Sequence, residues 1–170
     1  MIFALFTSFA GDTFLLFDEK WPFFFLLGLG SFLITHICYS LVFWRINRNL
    51  KGVWKYMIIP ILVFAVILNA IWDSLETAMK LPVLAYSLSI FLMVTLSGNL
   101  KSKVPNQYWW MILGGALLFM FSDSLIAIRK FQPELNPFSQ TQFWVMLTYL
   151  LGQFGIVVGM TKHIKVTTLS

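Results

Sequence analysis

The chain has 170 residues, of which 59% are hydrophobic and 11% charged, whereas about 25% of the residues in an average soluble domain are charged. A mean hydropathy of +0.81 and recurring runs of roughly 20 apolar residues are typical of a polytopic helical membrane protein. The formal charge of +5 follows the loops, so it does not indicate nucleic-acid binding, and a single cysteine, Cys38, excludes an intrachain disulfide or a thiolate metal site.

Six apolar spans follow one another along the chain, with short polar or proline-containing connections between them. They predict one all-α transmembrane helical bundle over residues 1–170, with no separate soluble domain. In chain order the predicted spans are Ile2–Phe17, Phe23–Phe43, Met57–Trp72, Leu81–Leu96, Tyr108–Ile128 and Phe138–Met160.

Basic residues are distributed unequally between the two sides of the predicted bundle. The loops after the second and fourth spans and the C-terminal segment hold eight basic residues and no acidic one. They are Arg45, Arg48, Lys51, Lys55, Lys101, Lys103, Lys162 and Lys165. The loops on the other side nearly balance, with Asp18, Glu19, Lys20, Asp73, Glu76, Lys80, Arg129, Lys130 and Glu134. Because basic loops tend to stay in the cytoplasm, we expect both termini to be cytoplasmic.

Asp12 and Asp123 are the charged residues that lie inside predicted spans. Both of these spans run outward, and each aspartate precedes the predicted outer end, Phe17 or Ile128, by five residues. At 1.5 Å per residue, both carboxyl groups are expected roughly 7–8 Å below the outer boundary. Small or hydroxylated residues flank both aspartates, in AGDTFLL and FSDSLIA, and would let another helix or a substrate approach closely. We therefore expect the two carboxyl groups to face one shared cavity.

An ionisable group in hydrocarbon costs at least about 2.5–3.5 kcal/mol and generally faces a cavity or a partner. Two such groups at matched depth favour a functional pair, with one neutral carboxyl group and one carboxylate for acid–base chemistry. The structural alternative is that Asp12 and Asp123 are hydrogen-bonded to neighbouring hydroxyl groups, those of Thr13, Ser122 or Ser124.

Other polar side chains inside the spans are candidate substrate-binding residues. His36 and Tyr39 are three positions apart, and Tyr149 and Gln153 are four apart, so each pair shares one helix face. For a lone buried histidine, and for Tyr86 in the fourth span, a structural role between packed helices is the alternative. The candidate set is His36, Tyr39, Tyr86, Ser122, Tyr149 and Gln153.

Two aspartates and a histidine could bind a divalent metal, but His36 is predicted to lie deeper than either carboxyl group. The sequence has no HxxxH pair and no cluster of aspartates, and we therefore predict no metal and no cofactor. It also lacks GxSxG, HExxH, P-loop and GxGxxG motifs. Asp12 and Asp123 are thus the candidate catalytic residues.

Four sequence elements together resemble the YhhN-like lysoplasmalogenase family. They are Gly-Asp in AGDTFLLF, H-x-x-Y in GLGSFLITHICYSLVF, SD-x-x-x-A in GGALLFMFSDSLIAIRKF, and Y-x-x-x-Q in TYLLGQFGIVVG. With LPVLAYSLSIFLM between the second and third, they occur in the family's order and extend over nearly all of the chain.

The resemblance implies a polytopic membrane hydrolase, typically of eight helices, in a bacterial inner membrane or its equivalent. Characterised members cleave the vinyl ether bond of lysoplasmalogen to a fatty aldehyde and a glycerophospho-base. The resemblance therefore implies a lysophospholipid substrate, membrane lipid as surroundings, and Asp12 and Asp123 as the catalytic pair.

The chain departs from the family's pattern in two places. Members typically have about two more helices before the Gly-Asp element, so the resemblance predicts either a start further upstream or a shortened version. Arg129 stands where asparagine is common after the Ser-Asp element, so contacts to the headgroup are expected to differ.

Vinyl ether hydrolysis needs an acid that protonates the alkene carbon, an anion beside the resulting cation, and a base for water. Two carboxyl groups supply these functions for a similar cation in glycosidases. The competing function is a small proton- or cation-coupled transporter, for which polar groups should follow a path through both leaflets. A third is a non-catalytic lipid-binding scaffold, which would tolerate Asp-to-Asn substitutions.

Overall fold

The computed structural model describes residues 1–18, 21–138 and 140–169, and those residues form helices, turns and loops with no strand. The six helices are α1 (Ile2–Leu15), α2 (Pro22–Ile46), α3 (Ile58–Ile71), α4 (Thr77–Asn99), α5 (Asn106–Phe131) and α6 (Thr141–Leu169). Each overlaps one predicted span, so the all-α, six-helix prediction is confirmed. Glu19 and Lys20 of the predicted first connection, and Ser139 and Ser170, lie outside the described residues.

The helices differ in length. Four segments of the described chain are long and apolar enough to cross a membrane, namely Phe23–Ile46, Thr77–Ser102, Asn106–Phe131 and Thr141–Lys165. The helices α1 and α3 have 14 residues each, or about 21 Å of length, against a hydrocarbon layer of about 30 Å. The predicted first span was too long because the helix gives way to a turn after Leu15.

Large apolar side chains cover the outward-facing surfaces of the helices. Phe6 and Phe9 on α1 are 68% and 69% exposed, and Leu62 and Val66 on α3 are 59% and 65% exposed. Contiguous apolar surface of this kind is unfavourable in water and is typical of contact with lipid. Together with the four long helices, it describes a membrane protein.

Glycines allow α5 and α6 to pack at backbone distance. A Cβ atom at Gly115 would lie 2.6 Å from the carbonyl oxygen of Gly152, and one at Gly152 would lie 2.9 Å from the carbonyl oxygen of Gly115. A Cβ at Gly155 would lie 2.7 Å from the carbonyl oxygen of Met111. This antiparallel register continues to Ser122, whose hydroxyl donates to the carbonyl of Val145 at 3.1 Å. It therefore sets Asp123 beside the helix turn that carries Tyr149.

The first helix packs on α2 through the small residues that precede Asp12. A Cβ atom at Gly11 would lie 2.7 Å from the ring of Phe32, and the hydroxyl groups of Thr7 and Thr35 are hydrogen-bonded at 2.8 Å. The close approach predicted from the AGD stretch is thus present. It holds Asp12 against the core formed by α2, α5 and α6.

Polar contacts show which connections share an end of the bundle. At one end, Lys130 in the last turn of α5 donates to Asp18 after α1 at 2.8 Å. At the other end, the Asn47 amide donates to the carbonyl of Asn99 at 2.6 Å and joins the connection after α2 to that after α4. The second end, where the basic connections after α2 and α4 lie, is called the basic end below.

Candidate functional site

Asp123 lies in the middle of a polar cluster contributed by three helices. Its side chain, on α5, is almost fully buried, with 6% of the residue exposed. The hydroxyl of Tyr86 on α4 donates to Oδ2 of Asp123 at 2.9 Å. Nε2 of His36 on α2 lies 3.5 Å from the same oxygen. The histidine and the tyrosine, predicted separately from sequence, therefore both lie against this one carboxyl group.

His36 is held in place by a serine and by aromatic rings. Its Nδ1 atom is 3.2 Å from Oγ of Ser89, and the hydroxyl of Ser89 donates to the backbone carbonyl of Tyr86 at 2.6 Å. The imidazole packs against the rings of Tyr86 and Phe119, with ring centroids 5.2 and 4.9 Å away. Its fully buried ring thus has a fixed orientation toward Asp123.

Asp12 ends a chain of hydrogen bonds that crosses from α2 through α6 to α1. Tyr39 donates to Oε1 of Gln153 at 2.5 Å, and Nε2 of Gln153 donates to Oγ of Ser8 at 2.6 Å. The hydroxyl groups of Ser8 and Tyr149 are bonded to each other, and Tyr149 donates to Oδ2 of Asp12 at 2.8 Å. His36 and Tyr39, although on one helix face, therefore belong to the clusters of different aspartates, His36 to that of Asp123 and Tyr39 to that of Asp12.

The two aspartates line one cavity, as the sequence predicted. This shared cavity lies between α1, α5 and α6 and measures about 650 Å³ including its open mouth. Its polar wall consists of Asp12, Ser122, Asp123, Arg129, Gln142 and Tyr149. Arg129 donates from Nη1 to Oε1 of Gln142, which places a guanidinium group at this cavity.

A second cavity, mostly apolar, meets the first at Asp123. It measures about 800 Å³ and lies between α2, α3, α4 and α5, with leucine, isoleucine, valine and phenylalanine side chains on its walls. Tyr86 and Asp123 also line it. Leu15, Phe32, Asp123 and Ile126 border both cavities, so the Asp123 carboxyl group lies between an apolar chamber and a polar one.

The hydroxyl groups next to the aspartates in sequence are not their partners. Thr13 donates to the carbonyl of Phe9, Ser124 to that of Met120, and Ser122, as described, to that of Val145. Such bonds to a backbone carbonyl satisfy hydroxyl groups within apolar helices. The structural alternative based on these neighbours is wrong, because tyrosines of other helices bind the two carboxyl groups instead.

The predicted site residues fall into two groups. Asp12, Asp123, Ser122, Tyr149 and Tyr86 reach a cavity wall, whereas His36, Tyr39 and Gln153 are buried behind it. Hydrogen bonds link Tyr39 and Gln153 to Asp12 through Ser8 and Tyr149, and His36 faces Asp123 at 3.5 Å.

Ser8 and Ser89 complete the two clusters and were not predicted. A serine within an apolar span has no sequence signal that separates it from a packing residue, although Ser8 lies one helical turn before Asp12. Among the described residues, no group of three or more His, Cys, Asp or Glu side chains could hold a metal ion.

The family model that matches the chain is that of the YhhN family, over residues 1–160. The comparisons with curated proteins and with solved structures gave no match.

Proposed function

The chain belongs to the YhhN family, and from that premise we propose that it is a membrane-embedded hydrolase cleaving the vinyl ether bond of lysoplasmalogen. The products would be a fatty aldehyde and a glycerophospho-base. The observation that carries the proposal is that Asp12 and Asp123, from helices far apart in sequence, line one cavity.

The chemistry requires two carboxyl groups in different protonation states. A neutral carboxyl group gives its proton to the outer alkene carbon, and the carbon bound to oxygen becomes an oxocarbenium ion, stabilised by the carboxylate of the second group. Water then adds to that carbon and gives a proton to the carboxylate of the second group. The product of this addition is a hemiacetal. In the last step the first group takes the hydroxyl proton, the second protonates the leaving ether oxygen, and both return to their starting states. The cycle needs no cofactor.

The two cavities suit an amphiphile with one hydrocarbon chain. The apolar cavity would take the alkenyl chain, and Arg129 at the shared cavity would pair with a phosphate, for which guanidinium is a favoured partner. The vinyl ether of a lysolipid lies between its chain and its phosphate. Asp123, at the junction of the two cavities, would then lie beside the reacting bond.

The distribution of charge supports a definite orientation in the membrane. We propose that the basic end faces the cytoplasm, in a bacterial inner membrane or its equivalent, with both termini on that side. The shared cavity lies toward the opposite end, where α1 and α5 finish, so it would open to the outer leaflet.

The direct test is aldehyde release by the purified protein in detergent or lipid nanodiscs. Lysoplasmalogen should yield fatty aldehyde, whereas a lysolipid with an ester at the same position and one with a saturated ether should yield none. Heavy water should slow the reaction, because a proton is transferred to carbon. Absence of aldehyde from a folded protein, or equal release by the Asp12→Asn, Asp123→Asn double variant, would contradict the proposal.

A second candidate function, a proton-coupled transporter, is favoured by one observation. The buried hydroxyl groups of Ser40 on α2 and Thr95 on α4 have no hydrogen-bond partner, and unpaired buried hydroxyl groups commonly bind water. Ser40 lies on α2 between His36 and Asn47, and Thr95 lies on α4 one turn before Asn99. Both hydroxyl groups therefore lie between His36 and the basic end. A transporter would move protons or cations across sealed liposomes, and its flux would depend on Ser40 and Thr95, whereas aldehyde release would not.

A further inference from the structure

The hydrogen bonds around His36 fix which of its nitrogen atoms carries hydrogen. A carbonyl oxygen can only accept, so the 2.6 Å contact between Ser89 and the backbone oxygen of Tyr86 uses the single hydrogen of the Ser89 hydroxyl. The Ser89 oxygen must then accept from Nδ1 of His36, 3.2 Å away. His36 is therefore protonated at Nδ1.

This arrangement leaves Nε2 of His36 facing Asp123. Nε2 is buried and makes no hydrogen bond to another described side chain or backbone group, and Oδ2 of Asp123 is the polar atom that faces it, 3.5 Å away. If Nε2 and Oδ2 both lacked a proton, two lone pairs would face each other at 3.5 Å with no hydrogen between them. One proton must therefore lie between these two atoms. A charge-separated pair would bury two charges at 0% and 6% exposure, which is costly, so the neutral form places the proton on Asp123.

The hydrogen bonds around Asp12 point the other way. The hydroxyl of Tyr39 and then the amide of Gln153 donate along the chain to Ser8. The single hydrogen of the Tyr149 hydroxyl goes to Oδ2 of Asp12, so in the contact between Ser8 and Tyr149 the Ser8 hydroxyl is the donor and the Tyr149 oxygen accepts. Every hydrogen of this chain points toward Asp12, which is the terminal acceptor. Such an array favours a carboxylate there.

We propose that Asp123 is the proton donor of the pair, with its proton held toward Nε2 of His36, and that Asp12 is the carboxylate. The catalytic meaning of this assignment rests on the proposed function, whereas the positions of the protons are properties of the resting protein. Asp123 then protonates the alkene carbon, and Asp12 stabilises the cation and takes a proton from water. His36 is a positioning residue, since it acts through Asp123.

Infrared spectroscopy of the purified protein tests the position of the proton without any substrate. At neutral pH the wild-type protein should give the carbonyl band of a neutral carboxylic acid that is absent in Asp123→Asn and present in Asp12→Asn. Asp18→Asn is the matched control, because Asp18 is paired with Lys130 at 2.8 Å and its replacement should leave the band in place. A band lost in Asp12→Asn and kept in Asp123→Asn would overturn the assignment.

Nitrogen NMR tests the part assigned to His36. The chain has two histidines, so protein labelled with ¹⁵N at histidine, compared with a His163→Gln variant, identifies the His36 signals. We expect a neutral imidazole with hydrogen on Nδ1 and none on Nε2. An imidazolium, or hydrogen on Nε2 alone, would overturn the proposal.

Two substitutions of His36 connect the proton to turnover. His36→Phe removes the acceptor and should move the Asp123 carbonyl band to higher frequency and lower kcat by about tenfold, less than loss of the acid itself, with KM unchanged. His36→Gln, whose oxygen can accept the same proton, should restore most of both. An unshifted band in a folded His36→Phe protein would overturn the role of His36. If the spectroscopic results hold and no aldehyde is released, the proposed function fails and the assignment of the protons stands.

Discussion

Each aspartate of the site receives a hydrogen bond from a tyrosine on another helix, Tyr149 for Asp12 and Tyr86 for Asp123. The two carboxyl groups differ in their surroundings, because Asp123 is buried and faces a histidine, whereas Asp12 is half-buried at the open cavity. Environments that differ in this way separate the functions of an acid–base pair. Substitutions at single residues should therefore report on distinct steps.

Asp12→Asn and Asp123→Asn should each lower kcat for lysoplasmalogen by about 10²–10⁴-fold, the usual contribution of a general acid or base. The double variant should be little worse than either single variant, because groups that act as a unit are not additive. Asp18→Asn, at a carboxyl group outside the cavity, should retain activity. Full aldehyde release by folded Asp123→Asn protein would refute the two-carboxyl mechanism.

Arg129→Gln should raise KM for a phosphate-bearing lysolipid by about tenfold, in line with the loss of one charged hydrogen bond. Lys130→Gln is the matched control, because its ammonium group binds Asp18 and does not line the cavity. For an alkenyl glycerol without phosphate, the wild-type protein and Arg129→Gln should have equal KM values. Equal KM values for the phosphate substrate would remove Arg129 from headgroup binding.

The sequence predicted most of the polar residues of the two clusters, including Ser122 and Gln153, and missed Ser8 and Ser89. Asp12, Asp123, His36 and Tyr149 were predictable because a polar or ionisable group inside an apolar span requires a partner. Ser8 was not, because a serine satisfies itself on a backbone carbonyl as readily as it joins a network.

Packing between helices determines where the site residues meet. The contact of α5 with α6 is made at backbone distance by Gly115 and Gly152, and it sets the register that brings Asp123 toward Tyr149. Hydropathy predicted every helix, because an apolar run of sufficient length must satisfy its own backbone in lipid. It did not predict helix ends, and α6 continues past the predicted end, Met160, through polar residues to Leu169, because backbone hydrogen bonding does not stop where burial stops.

Gly152→Ala should lower the stability of the bundle by about 1–3 kcal/mol, the usual cost of overpacking, and should also lower activity. The new Cβ would lie 2.9 Å from the carbonyl oxygen of Gly115, so the helices must separate. Gly114→Ala is the matched control, since nothing lies within 4 Å of a Cβ there and alanine favours a helix. Thermal unfolding in detergent measures both, and an unchanged midpoint for Gly152→Ala would contradict the expected strain.

The whole molecule has two ends of different character. The basic end carries the connections after α2 and α4, and the site lies toward the other end, near the Asp18–Lys130 ion pair. This division follows from counting helices and charges in the sequence. The meeting of an apolar cavity with a polar one at Asp123 does not, because it depends on side chains from all six helices.

Reporters fused to the full chain test the proposed orientation. A fusion after Ser170 should be active with a reporter that works in the cytoplasm, and an insertion between Asp73 and Glu76 should be active with one that works outside. The reason is the positive charge of the basic end, which resists translocation. The opposite pattern would place the shared cavity on the cytoplasmic leaflet.

The chain of bonds between α1 and α6 also has a consequence for synthesis. Asp12 and Tyr149 are 137 positions apart, and Ser8 and Gln153 are 145 apart, so the ribosome makes α1 long before its partners exist. Asp123, in contrast, is synthesised after both Tyr86 and His36, so its partners are already present in the nascent chain. The two halves of the site therefore mature at different times. A nascent chain that has not reached Tyr149 holds one aspartate with its partners and one without, and it gains the complete pair only when α6 enters the membrane.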